Sequence, residues 1–259
     1  MTSSNASAVG MQSCRMIAQQ DWDSIREVLS TESGKEALRT GIEALGIDGA
    51  LHFACRFHPP LDVIVSMAGV FPGAVLHCDK AGRYPLHIAS KWGASPLILR
   101  FLVEEEPSVC AIQDETGKTP LHHICRSYGR NYSVRKNDGR PLKEALVEVV
   151  RGLCKASPAT VNLEDEEDMT ALEYAIEADY DLKVVRTMQK ACEKDWKQRR
   201  QNAKPGFSHD QVMESMLIEN QRNAAELNQQ LFDMSQSAMH ASFSALHTGG
   251  KLPDAAPTP

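Results

Sequence analysis

The sequence predicts an all-α solenoid: about five helix-turn-helix units in a single row, followed by a long C-terminal helix. Three observations carry this prediction. The segment Gly82-Arg83-Tyr84-Pro85-Leu86-His87-Ile88-Ala89 recurs 35 residues later as Gly117-Lys118-Thr119-Pro120-Leu121-His122-His123-Ile124, and Leu51-His52-Phe53-Ala54 lies a further 35 residues upstream. Other columns keep that register: Pro72, Pro107 and Pro158 are spaced by 35 and then 51, as are Asp79, Asp114 and Asp165, while Leu172 follows Leu121 by the same 51. Independent columns sharing one insertion of 16 residues put every unit on one template, and a fixed period of this length marks a repeat architecture. Between the markers the apolar residues have helical spacing, as in Leu97-Ile98-Leu99-Arg100-Phe101-Leu102-Val103.

Each element of a unit has a local cause. Glycine two residues before Tyr84 or Thr119 permits the positive φ of a tight turn, and the proline that follows suits a first helical turn, where its missing N–H is harmless. Leu86, Ile88 and Ala89 then form the buried side of a short first helix, and Pro96 opens a second. One such hairpin cannot bury both apolar faces, so it needs neighbours, and the row must end on units with polar outer faces. At the amino end Met16 lies 35 residues before Leu51, and Asp21 to Leu29 reads as the second helix of a degenerate first unit. At the other end Glu173 stands in the histidine column, and a helix near Leu182 to Ala191 carries Lys183, Arg186 and Lys190. The units are read as 11–46, 47–81, 82–116, 117–168 with the insertion, and 169–200 as the cap.

The flanks read differently. Residues 1–10, without the basic start and apolar run of a secretion signal, are expected to be a disordered leader. Residues 201–207 read as a linker, because Lys204-Pro205-Gly206 breaks the helix. Over 208–247, Met213, Leu217, Asn220, Ala224, Leu227, Leu231, Met234, Ala238, Ala241 and Ala245 alternate four and three apart, a weak coiled-coil seam. Dimerisation or partner docking through this helix stands beside a lone helix or one folded back on the repeats. The Gly/Pro/Ala-rich 248–259 is expected to be disordered.

The motif Asp-x-x-Gly-x-Thr-Pro-Leu-His-x-Ala, carried by Asp114 to His122 without a gap and by Asp79 to Ala89 with Tyr84 in place of threonine, resembles the ankyrin repeat over about residues 47 to 192. The resemblance implies a protein-binding stack in which the repeated His52, His87 and His122 tie each helix start to the next turn. It also implies that the residues facing the concave groove are Arg56-Phe57, Lys91-Trp92 and Arg126-Ser127, followed by Tyr128. This chain departs from the pattern in two ways. Ile124 replaces the alanine found at Ala54 and Ala89, and Pro72-Gly73-Ala74-Val75, Pro107-Ser108-Val109-Cys110 and Pro158-Ala159-Thr160-Val161 replace the usual helix ending, as in a divergent subfamily.

Composition narrows the function. A net charge of −6 argues against a nucleic-acid binder held by bulk charge. No run of about 18 apolar residues is present to span a membrane. Seven scattered cysteines read as reduced, buried, small hydrophobes of a cytoplasmic or nuclear protein. Histidines 35 apart fall in different hairpins, and His122, His123 and Cys125 do not share one helical face, so no metal and no cofactor is expected. No phosphate-cradling glycine loop and no evident nucleophile–base pair is present, so no enzyme is expected. Basic plus aromatic is an interface composition, and it marks Arg56, Phe57, Lys91, Trp92, Arg126, Ser127 and Tyr128 as the candidate stripe for an acidic or amphipathic partner, although Phe57 and Trp92 could equally be core. The turn tips carry Lys80, Arg83, Glu115 and Lys118, and the next turn is the acidic run 164–168, either solvated or orienting a basic partner. The insertion 130–141 holds four cations against one anion and reads as a loop between the two helices of its unit. The expected function is a protein-interaction module or scaffold; the alternative is a regulatory or targeting subunit of an enzyme, or a small enzyme.

Overall fold

In a computed structural model, which describes residues 2–44, 49–136 and 139–202, the chain opens with α1 (Thr2–Gln19). The leader expected to be disordered is therefore helical. The later part of α1 packs on the helices that follow, and extending an anchored helix needs no new nucleation. Helix α2 (Trp22–Ser30) is capped by Asp21, whose carboxylate accepts the Ser24 N–H at 3.2 Å, and it buries Ile25 and Leu29. Next comes α3 (Glu32–Ala44), in place of the turn that links later units, packed mainly against α1. Met16, which the register pairs with Leu51, is half-buried; its neighbour Ile17 is the fully buried residue.

From here the helices come in pairs: α4 (Ala50–Cys55) with α5 (Leu61–Val70), then α6 (Pro85–Lys91) with α7 (Pro96–Glu105). In the next unit α8 (Pro120–His123) runs without a break through a π-helical turn, Ile124–Tyr128, into α9 (Gly129–Asn131); the partner helix is α10 (Leu142–Ala156). The last pair is α11 (Ala171–Glu177) and α12 (Leu182–Asn202). Helix α12 continues past the expected Ala191 and through the first two residues of the expected linker. The tail readings over 208–247 and 248–259 lie outside the described residues.

First helices contact first helices along the row, α4 with α6, α6 with α8, and the π turn with α11. Second helices form the other layer, α2 with α5, α5 with α7, α7 with α10 and α10 with α12. Leu51, Leu86 and Leu121 are buried at the same place in successive hairpins, whereas Leu172, with no unit beyond it, is only partly buried. The proline column stops each second helix: Pro107 and Pro158 open 3-10 turns one residue beyond the C-caps of α7 and α10, and these turns bury Val109 and Val161. Among the described residues no strand forms beyond the isolated bridge Glu164–Thr170.

The bulky Ile124 sits where the helix opens into the π turn. A π turn leaves a backbone carbonyl without its usual i+4 partner. Here the Tyr180 hydroxyl donates to Ile124 O at 3.0 Å. The Tyr128 hydroxyl donates to Ala94 O at 2.8 Å and Asn131 Nδ2 to Lys91 O at 2.8 Å, so the start of the insertion is fastened to the preceding unit. The insertion lies between the two helices of its unit, as the register requires; Asn131 and Tyr132 near its root are half-buried, while Val134, Arg135 and Lys136 are exposed.

Successive turns touch closely: Glu115 N–H donates to Ala81 O at 3.1 Å and Glu166 N–H to Thr116 O at 3.2 Å. Gly117 has φ +72°, and a Cβ there would lie 2.9 Å from both Asp165 Cα and Glu166 N. Gly73 has φ +79° and open space around it. Gly73→Ala should therefore show the left-handed backbone penalty alone, about 1 kcal/mol, and Gly117→Ala that penalty plus a backbone clash, about 2–4 kcal/mol in all. Urea unfolding of the two variants beside the parent checks this; equal losses would mean that the turns are not in contact.

Candidate binding groove

The groove is built on a carboxylate in each turn, half-buried at Asp79 and buried at Asp114 and Asp165. Asp79 Oδ1 accepts the N–H groups of Ala81 and Arg83, both at 2.9 Å. Asp114 Oδ1 accepts those of Thr116 at 2.9 Å and Lys118 at 3.0 Å, and Asp165 Oδ1 those of Glu167 at 2.9 Å and Met169 at 3.2 Å. The second oxygen differs from turn to turn. Arg83 Nε donates to Asp79 Oδ2 at 2.9 Å, His123 Nε2 to Asp114 Oδ2 at 2.8 Å, and the Tyr174 hydroxyl to Asp165 Oδ2 at 2.8 Å. Burial alone would raise these carboxyls. Hydrogen bonds outweigh it, from His123, Thr116 and the Lys118 N–H at Asp114, which lies well below the usual carboxylate range, and from Lys118 and Tyr174 at Asp165, which is held at about 2.

The histidine column joins one unit to the next. Tyr84 N–H donates to His87 Nδ1 at 3.2 Å and Thr119 N–H to His122 Nδ1 at 3.1 Å, which leaves the proton on Nε2. Nε2 then donates forward: His52 to Arg83 O at 2.7 Å, His87 to Ile112 O at 3.0 Å and His122 to Met169 O at 3.2 Å. Burial keeps all three neutral, and pushes His87 down to about 4, with His123 nearby adding to the effect. Among the described residues no group of three or more His, Cys, Asp or Glu side chains is placed to hold a metal ion.

Against this frame lies a cleft of ≈ 490 Å³ whose lining includes Arg83, Lys91, Lys118, Arg126, Ser127 and Glu167. Arg126 Nη1 lies 2.6 Å from Glu167 Oε1, with its guanidinium 5.5 Å from the Tyr174 ring centre. Beyond the cleft the Arg56 guanidinium stacks on the Trp92 ring at 5.2 Å. A family model of ankyrin repeats, in three copies, matches residues 51–136. The chain carries ankyrin repeats over that span. A comparison with curated proteins finds no match. Ankyrin repeats are in general protein-interaction modules rather than enzymes, and among the described residues no helix of this one is long and apolar enough to cross a membrane.

The ankyrin frame disposes the expected stripe as follows. Arg56 and Arg126 are exposed; Phe57, Lys91, Trp92 and Ser127 are half-buried. Phe57 meets Phe53 edge-on at 5.1 Å, and Trp92 packs on the core with its body while its ring carries Arg56. Tyr128 is a correction: it is fully buried, turned inward by the π turn, and cannot meet a partner. Of the turn tips, Lys80 and Glu115 are exposed and Arg83 is half-buried against Asp79. Lys118 is the second correction: it is buried, with Nζ 2.6 Å from Asp165 Oδ2 and 3.2 Å from Glu167 Oε1. Cys78 is a third, exposed where a buried thiol was expected, while Cys55, Cys110, Cys125 and Cys154 are buried, and burial pushes Cys55, Cys110 and Cys154 up to about 12. Glu167 and Tyr174 escaped the sequence reading, because a carboxylate inside an acidic run carries no signal of the cation it meets in the neighbouring unit.

Acid should loosen the stack in two stages. His87 is neutral when folded with its value at about 4 against an ordinary 6.5, so the unfolded chain binds the extra proton and stability falls between those values as pH drops. Asp165 is depressed from 3.8 to about 2, so its contribution is complete above the higher value and is lost towards the lower one. His87→Asn should flatten the first limb and Asp165→Asn the second, each lowering neutral-pH stability by about 1–3 kcal/mol. Unfolding free energies measured across the acid range test this; a parent curve that is level between about pH 7 and about pH 5 would contradict it.

Proposed function

We propose that the chain recognises another protein through the ankyrin groove, using Arg56, Phe57, Lys91, Trp92, Arg126 and Ser127. The observation that carries this reading is the Arg56–Trp92 stack, which joins two units into one basic-aromatic surface with the guanidinium exposed. A desolvated aromatic ring bearing a cation has the composition of an interface hot spot. Arg126 and Ser127 extend the surface into the next unit. The 208–247 segment, with its heptad spacing, adds self-association or docking on a partner helix, and a cytoplasmic or nuclear setting suits the reduced cysteines.

Affinity purification of the full chain beside a version ending at Ala203, followed by titration of the retained protein, tests this. Trp92→Ala should weaken capture by about 2 kcal/mol, roughly thirtyfold, and Arg126→Ala by about tenfold, with the thermal transition of each variant confirming that it folds. Unchanged affinity in both folded variants would move the interface to another surface. A partner lost only from the truncated chain would assign binding to the tail.

A further inference from the structure

Arg56, Lys91 and Arg126 occupy one position in three successive units, 35 residues apart. Arg56 follows α4 as its C-cap, Lys91 ends α6, and Arg126 lies in the π turn. Packed helices lie about 8–10 Å apart, so the backbone positions that carry the three cations recur at about that spacing, with Lys91 and Arg126 lining the cleft and Arg56 beside it on the Trp92 ring. The rungs differ in what they hold. Arg126 is already met by Glu167, a carboxylate supplied by the following turn. Among the described residues Arg56 and Lys91 belong to no ion pair. Glu167 thus shows what a rung takes, and two rungs stand open.

We propose that the groove receives an extended acidic segment of a partner protein, with a carboxylate at every third residue. This rests on the protein-binding reading above and adds the chemistry of the partner. A polyproline II chain has three residues per turn and rises about 3.1 Å per residue, so every third side chain points the same way at intervals of about 9 Å, which matches the ladder. A β-strand repeats its facing side chains at about 6.6 Å and falls out of step after one rung. An α-helix rises 1.5 Å per residue and returns a side chain to the same face only every 3 or 4 residues, about 5–6 Å, so it too falls out of step with the ladder. The opposite wall carries the exposed Glu115 and Glu166, which repel carboxylates pointing towards the turns. Spaced acidity therefore fits where uniform acidity does not. Glu167 acts as an internal competitor for the third rung: Lys118 and the Tyr174 hydroxyl hold it in place, and its pair with the exposed Arg126 is the contact open to exchange.

Fluorescence anisotropy with the full chain tests the proposal, using three fluorescein-labelled peptides. One has glutamate at every third position with proline or alanine between; the second is its isomer with the glutamates contiguous; the third is alanine-rich and helical with glutamates seven apart. The first should bind at least about fivefold tighter than the others at low salt. Arg56→Gln and Lys91→Gln should each weaken it about threefold to fivefold, and Glu167→Gln should strengthen it by a similar factor. Equal binding of the isomers, a preference for the helical peptide, or no gain from Glu167→Gln would overturn it. If Trp92→Ala still abolishes capture of a natural partner while the peptides show no spacing preference, the groove stands and only the acidic ladder falls; if neither responds, both readings fall.

Discussion

A carboxylate drawn into each turn, half-buried at Asp79 and buried at Asp114 and Asp165, is the constraint on which the stack depends. Asp79, Asp114 and Asp165 each fold their own turn by accepting two backbone N–H groups with one oxygen. A charge removed from water is tolerated only when its remaining lone pairs are also filled. The second oxygen therefore demands a further donor, and each unit supplies a different one: Arg83 from the turn itself, or His123 or Tyr174 from the helix that follows it. That demand reaches between units at Asp165, which also takes the Lys118 ammonium from the turn before it. The same carboxylates thus fix the local turn and the separation between neighbouring turns, and the histidine column repeats the linkage one layer deeper.

The period, its insertion and the turn-helix order were legible in the sequence because each is a local rule applied again at the same interval, and the histidine linkage was implied by the resemblance to ankyrin repeats. A glycine must precede the proline by three residues for the turn to close, and the spacing says so directly. Where one residue substitutes for another, the rule still reads: Asp168 occupies the glycine place of its turn with φ +56°, a conformation that aspartate tolerates. Contacts between units were not legible. Nothing in the text around Lys118 shows that Asp165 and Tyr174 will enclose it 47 and 56 residues later, and a lysine in a turn otherwise reads as exposed. Tyr128 was misread for a related cause, since its direction depends on a π turn that changes the helical phase by one residue. The first unit lacks the aspartate, glycine and proline columns, and its third helix α3 appears where those columns would have made a turn.

The π turn also gives the insertion its meaning. Extending the first helix through Ile124–Tyr128 carries the chain over the preceding unit, where Tyr128 and Asn131 bind the carbonyls of Ala94 and Lys91. Lys91 is a rung of the groove ladder, so its backbone is clamped from behind by the insertion while its side chain faces the cleft. An inserted segment that the sequence reads as a loop thereby stiffens one wall of the binding surface. Pre-ordering of this kind lowers the entropy that a partner would otherwise have to supply on binding.

Charge is divided across the groove rather than summed over it. The chain carries a net −6, yet the ends of the first helices present Arg56, Lys91 and Arg126, while the turns opposite present Glu115 and Glu166. At physiological ionic strength exposed charges are screened beyond about 8 Å, so a bound segment responds to these near walls and not to the distant total. The acidic turns then discourage carboxylates that arrive out of step, and the local cations reward only those that arrive in step. A surface of this design gains selectivity from spacing, because the repeat that buries the core also sets the interval at which the cations recur.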